Sequence, residues 1–182
     1  VLNGTPQVYV SRATYNSITV KWSKVKDAKK YEIYYSTSPN GGFRLLKTQG
    51  GTSFTHKGLQ TGAVYYYQVR PMRDYYKGAY SNVTSARTVL GNVAGLKASP
   101  SGSDRMKVSW KKVKGVNYYV ILRSDSPYGN YTQIGTTSRT SWLDTGLMPS
   151  TAYYYKVYAV AGPYQTNTAG PVGRVTKAPK KK

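Results

Sequence analysis

The side chains that could do chemistry are few and scattered. Six carboxylates, Asp27, Glu32, Asp74, Asp104, Asp125 and Asp144, accompany 27 lysines and arginines. No two of the acids are closely spaced and most fall in expected loops, so the paired-carboxylate route of glycoside hydrolysis is not expected. His56 is the single histidine and cysteine is absent. The serines therefore lack the base and orienting group of a nucleophilic triad, and a thiolate zinc site cannot form. His56 reads instead as a polar residue that steadies the turn into Gly58-Leu59. No glycine-rich phosphate loop opens a helix, and the tripeptide Arg-Gly-Asp does not occur. An isopeptide crosslink between lysine and asparagine needs a buried acid beside the pair, and Glu32 has the outward parity of its strand. Neither catalysis nor a metal or cofactor is expected.

Binding chemistry is better supplied. The net charge is +21 and there are 20 tyrosines. Self-repulsion on that scale points to an anionic neighbour or to lysines that keep a tyrosine-rich surface soluble. One stretch carries Lys24, Lys26, Lys29 and Lys30; a second carries Arg73 and Lys77 with Tyr75 and Tyr76 interleaved. Cations with aromatic rings could hold a phosphate, sulfate or carboxylate while a sugar or base stacks on the rings.

The elements that would position these residues are strands. Ile18, Val20 and Trp22, and again Met106, Val108 and Trp110, alternate with polar residues, the period of a strand with one buried face. Helical periodicity is not sustained, no apolar run is long enough to span a membrane, and Gly, Pro, Asn and Ser punctuate the chain at short intervals. Without cysteine, each folding unit must rest on its apolar core. A shift of 88 residues carries Trp22 and Val25 onto Trp110 and Val113, Tyr31 and Ile33 onto Tyr119 and Ile121, and Tyr65-Tyr66-Tyr67 onto Tyr153-Tyr154-Tyr155. One module has been duplicated. About seven short strands per copy predict an all-β architecture of two tandem Ig-like sandwiches, residues 1–90 and 91–177, followed by a basic disordered tail, 178–182. The short connection near 89–92 predicts a semi-rigid, rather extended pair.

The chain resembles the fibronectin type III family over nearly its whole length. Leu147-Met148-Pro149-Ser150-Thr151-Ala152-Tyr153 is similar to the family's approach to strand F, with Tyr153 as the tyrosine-corner residue; the first copy keeps Leu59 and Tyr65 without the proline. Trp22 and Trp110 match the buried strand-B tryptophan. The resemblance implies seven-stranded sandwiches in which the loops after strands B and F share one end, bringing Lys24, Lys26, Lys29 and Lys30 beside Arg73, Tyr75, Tyr76 and Lys77. The finer wording is similar to lysine- and tyrosine-rich modules of secreted and surface proteins of Gram-positive bacteria, which implies an extracellular or cell-wall location.

Strand parity offers a second surface. With Tyr119, Ile121, Tyr153, Tyr155 and Val157 inward, Tyr118, Val120, Leu122, Tyr154, Tyr158 and Val160 face outward as an apolar interaction face. The expected role is a non-catalytic spacer and adhesive or accessory module, monomeric within a larger chain and without membrane insertion, whose partner is a protein or glycan at the cell surface. Two alternatives stand beside it. One is an anionic polymer (teichoic acid, sulfated glycan or, less favoured, nucleic acid) held by the basic loops; the other is an accessory carbohydrate-binding role beside a glycosidase.

Overall fold

The computed structural model describes residues 2–179, so part of the 178–182 tail lies outside the described residues. The chain divides into two compact units, Val1–Val89 and Leu90–Lys182. In the first, β1 (Val8–Ala13), β2 (Ser17–Trp22) and β5 (Ser53–Lys57) form one antiparallel sheet. β3 (Lys30–Ser36), β4 (Arg44–Gln49), β6 (Val64–Arg73), the two-residue arm β7 (Tyr76–Lys77) and β8 (Thr84–Arg87) form the other. The second unit repeats the plan. Its first sheet is β9 (Lys97–Pro100), β10 (Arg105–Ser109) and β13 (Ser141–Thr145); its second is β11 (Tyr118–Ser124), β12 (Thr132–Thr137), β14 (Ala152–Ala161), β15 (Tyr164–Gln165) and β16 (Ala169–Val175). These are all-β sandwiches of seven strands, the short arms being hairpin extensions of the last strand. No helix of the described residues is long and apolar enough to cross a membrane.

Alternation along the strands selects the core. Ile18, Val20, Trp22, Tyr31, Ile33, Tyr67 and Val69 close the first interior, and Met106, Val108, Trp110, Tyr119, Ile121, Tyr155 and Val157 the second. The four fully buried tyrosines, Tyr31, Tyr67, Tyr119 and Tyr155, need polar partners for their hydroxyls. Tyr31 and Tyr119 find theirs in the loop that follows the tryptophan, accepting hydrogen bonds from the N–H of Val25 at 2.8 Å and of Val113 at 2.9 Å. Each ring also packs against its tryptophan, at 5.7 Å in one module and 5.2 Å in the other. The loop carrying the lysine cluster is thereby pinned to the core. At the other end, Tyr65 and Tyr153 accept the N–H of Gln60 and of Met148, each at 3.1 Å, so the corner forms in both modules with or without the proline.

Candidate functional site

Strand β6 turns into β7 through two residues, with Arg73 opposite Tyr76 and Met72 opposite Lys77. Asp74 takes φ +56° there, and the second module has Gly162 at φ +55° in the same place. Left-handed backbone is accessible to a short Asp and costless to Gly. The turn projects Tyr75 and Tyr76 into solvent, 97% and 77% exposed. Lys29 reaches across from the neighbouring loop to pair with Asp74 at 3.0 Å, and Lys29, Lys30, Met72 and Asp74 line one small hollow. The lysine-bearing loop and the tyrosine-bearing hairpin thus meet at one end of the sandwich. Two of the expected anion-binding cations are already paired: Lys29 with Asp74, and Lys77 with Glu32 at 2.9 Å. Lys24, Lys26, Lys30 and Arg73 are exposed and make no ion pair among the described residues.

Glu32 does point to the outer side of its sheet, yet it is 5% exposed. Outward parity is not exposure here, because long neighbours close over the carboxylate. Arg70 lies opposite it in register and donates to it at 2.6 Å; Lys77 and the Tyr34 hydroxyl donate at 2.9 and 2.8 Å. Burial pushes the carboxyl upward, and these three hydrogen bonds outweigh burial and bring it from 4.5 down to about 2. The Tyr34 hydroxyl moves the other way, raised by burial and by its hydrogen bond to Glu32. The Arg70 guanidinium stacks against Tyr34 and Tyr80, its carbon 5.5 and 4.8 Å from the ring centres. Neither the sign nor the reach of this cluster is visible without strand register.

The aligned positions in the second module are apolar or neutral: Val120 for Glu32, Tyr158 for Arg70, Gln165 for Lys77. Tyr118, Leu122, Tyr154 and Tyr158 are exposed or half-buried, whereas Val120 and Val160 are buried at 3% and 9%. Val120 is flanked in register by Tyr158 and Thr136, and Val160 by Tyr118 and Gln165. The tyrosines are the accessible part of this face and the valines its floor. Lys156 lies 3.9 Å above the Tyr131 ring on the same side.

His56 and Asp144, aligned in the repeat, bridge the two sheets of their modules. The Nδ1 of His56 is 3.1 Å from the Tyr67 hydroxyl, and its ring packs edge-on against Tyr35, Tyr65 and Tyr67. Burial holds the imidazole below its ordinary pKa. Asp144 accepts the Tyr155 hydroxyl at 2.8 Å and Arg123 on both oxygens at 3.1 Å. Burial first, and the Asp144 hydrogen bond second, raise the Tyr155 hydroxyl. These are ties between sheets, not a reactive pair. Among the described residues no cluster of three His, Asp or Glu side chains could hold a metal ion.

A model described as the fibronectin type III domain matches residues 4–87, and the second module repeats that topology strand for strand. The first module is a fibronectin type III domain, and the second shares its fold. A solved two-domain fibronectin type III segment from chicken tenascin covers 94% of the chain, and 98% of itself, with a TM-score of 0.60 and 22% identity, a likeness of fold. Exoglucanase B of Cellulomonas fimi is 28% identical over 95% of the chain, and Fibronectin type III domain-containing protein 7 of Mus musculus 29% identical over 79%. The chain spans only 16% and 19% of these two relatives' lengths. Sequence similar to this chain thus occupies a small part of each of these two relatives.

Proposed function

We propose that this tandem is a non-catalytic segment of a larger exported bacterial protein, spacing its neighbours and carrying an accessory glycan-binding surface at the β6–β7 end of the first module. The observation that carries the reading is the pair of exposed rings, Tyr75 and Tyr76, held on a short hairpin beside the unpaired cations Lys30 and Arg73. Flat rings carried on a short hairpin can stack on sugar faces, and a tyrosine has few side-chain torsions to order on binding; the cations add attraction for uronate, sulfate or phosphate substituents. The similarity to an exoglucanase over a small fraction of that enzyme's length supports an accessory role beside a separate catalytic domain. Retention of the chain on insoluble polysaccharides, compared with a Tyr75→Ala/Tyr76→Ala variant, tests this. Equal retention of both proteins, or none on any matrix, would overturn it.

A second reading follows from the charge of +21. In it the exposed Lys24, Lys26, Lys30 and Arg73 hold an anionic polymer, and affinity falls steeply with salt because bound counterions are released. Changing Lys30 and Arg73 to glutamate should then flatten the salt dependence, whereas loss of the two rings should leave it intact.

A further inference from the structure

The two modules close the seam between their first and last strands differently. In the first, the Asn82 side chain bridges it, its Oδ1 accepting the Val8 N–H at 2.9 Å and its Nδ2 donating to the Val8 carbonyl at 3.0 Å. The side chain thus completes the main-chain pairing that a strand would have supplied. In the repeat the aligned residue is Gly170, which has no side chain with which to bridge. As in the first module, the two edge strands pair only within their own sheets, β9 with β10 and β16 with β14; between Gly170 and the main-chain hydrogen bond from Lys177 to Gly102 the seam is a groove of about 600 Å³ lined by 97–100 and 171–174. Each wall is four residues long, enough for about 13 Å of extended chain. Lys97 stands on one wall and Arg174 on the other, both exposed and free of ion pairs among the described residues, and no acidic residue lines the groove. Pro100 and Pro171 remove main-chain donors at two corners. That discourages whole modules from pairing edge to edge while leaving a stretch open to a short strand.

We propose that this groove is a docking site for a short, extended, acidic peptide, which lies along the free edge of β16 and sets carboxylates against Lys97 and Arg174. The occupant is argued from three features together: two cations without a counter-charge, one toward each end of the groove because its walls run parallel, strand edges not paired across the seam, and a length suited to a few extended residues. A polyanionic glycan would satisfy the cations but not the strand edge.

The test is amide-resolved NMR titration of the 182-residue chain with a blocked peptide of alternating glutamate and valine. A peptide with lysine for glutamate and an oligogalacturonate serve as comparisons. The expected result is perturbation confined to 97–100 and 171–174, seen with the acidic peptide alone. A Lys97→Glu/Arg174→Glu variant should weaken it by about 10-fold or more. Should charge reversal disturb the second module's spectrum, Lys97→Gln/Arg174→Gln gives the same comparison with a smaller, still measurable loss. Equal response to the lysine peptide, equal response to oligogalacturonate, or perturbations at 24–30 and 73–77 instead, would each overturn the proposal.

Discussion

At the scale of single residues, one outer-sheet position has been solved in two ways. Glu32 is buried under Arg70, Lys77 and Tyr34, while the aligned Val120 is buried between Tyr158 and Thr136. Desolvating charges cancels much of what their pairing contributes, but removing one partner strands the other. Glu32→Ala should therefore destabilise the first module by about 3 kcal/mol. The triple change Glu32→Val, Arg70→Tyr and Lys77→Gln, which copies the second module, should be neutral or stabilising; urea denaturation of the variants checks both. Asp144→Ala should cost about 2–3 kcal/mol in the second module, toward the low end for a broken buried pair because Arg123 is 32% exposed and can rehydrate. The Glu32 carboxyl also sets an acid limit. Its pKa is lower folded than unfolded, so its contribution is complete above about 4.5 and disappears as the pH falls toward about 2.

At the scale of elements, the hydroxyl pins decide how loops and strand ends are held. Tyr65→Phe and Tyr153→Phe each delete one hydrogen bond to a corner N–H and should cost about 1 kcal/mol in their own module, read from denaturation midpoints. Asn82→Ala leaves both main-chain groups of Val8 without their partner and should cost about 1–3 kcal/mol, with faster amide exchange along β1. Much of this level was legible beforehand. The alternation through Ile18, Val20 and Trp22 identified strands and core, the shift of 88 residues identified the duplication, and Tyr153 identified the corner. The Asn82 bridge was not legible, because it joins residues 74 apart in sequence and nothing local marks the side chain as a surrogate strand. The Glu32 cluster was missed for a related reason. Parity says which side of a sheet a residue faces, but register decides which long neighbours close over it. The basic hairpin end was legible as a cluster, though the pairing of Lys29 and Lys77 with acids was not.

At the scale of the whole molecule, the modules share a scaffold and should differ in their response to acid. His56 is the only histidine and lies in the first module, where burial holds its imidazole below the ordinary pKa. A base with a depressed folded pKa binds protons more readily when unfolded. Its stabilising contribution is therefore complete above the unfolded value of about 6.5 and is lost as the pH falls below it. Calorimetry from neutral pH to pH 5 should show the first module's transition moving to lower temperature, with the second module's moving less; His56→Gln should remove most of the difference.

The tryptophans also give each module an optical signature. Trp22 lies alone in the first core, and Trp110 lies in the second with the half-buried Trp142 packed against that core; all three indole N–H groups are buried and without hydrogen-bond partners among the described residues. Indoles in such surroundings emit at the blue end of their range and shift red when water reaches them. In a Trp110→Phe/Trp142→Phe chain, emission would report the first module alone, so ligand docking and unfolding could be followed one sandwich at a time without attaching a dye.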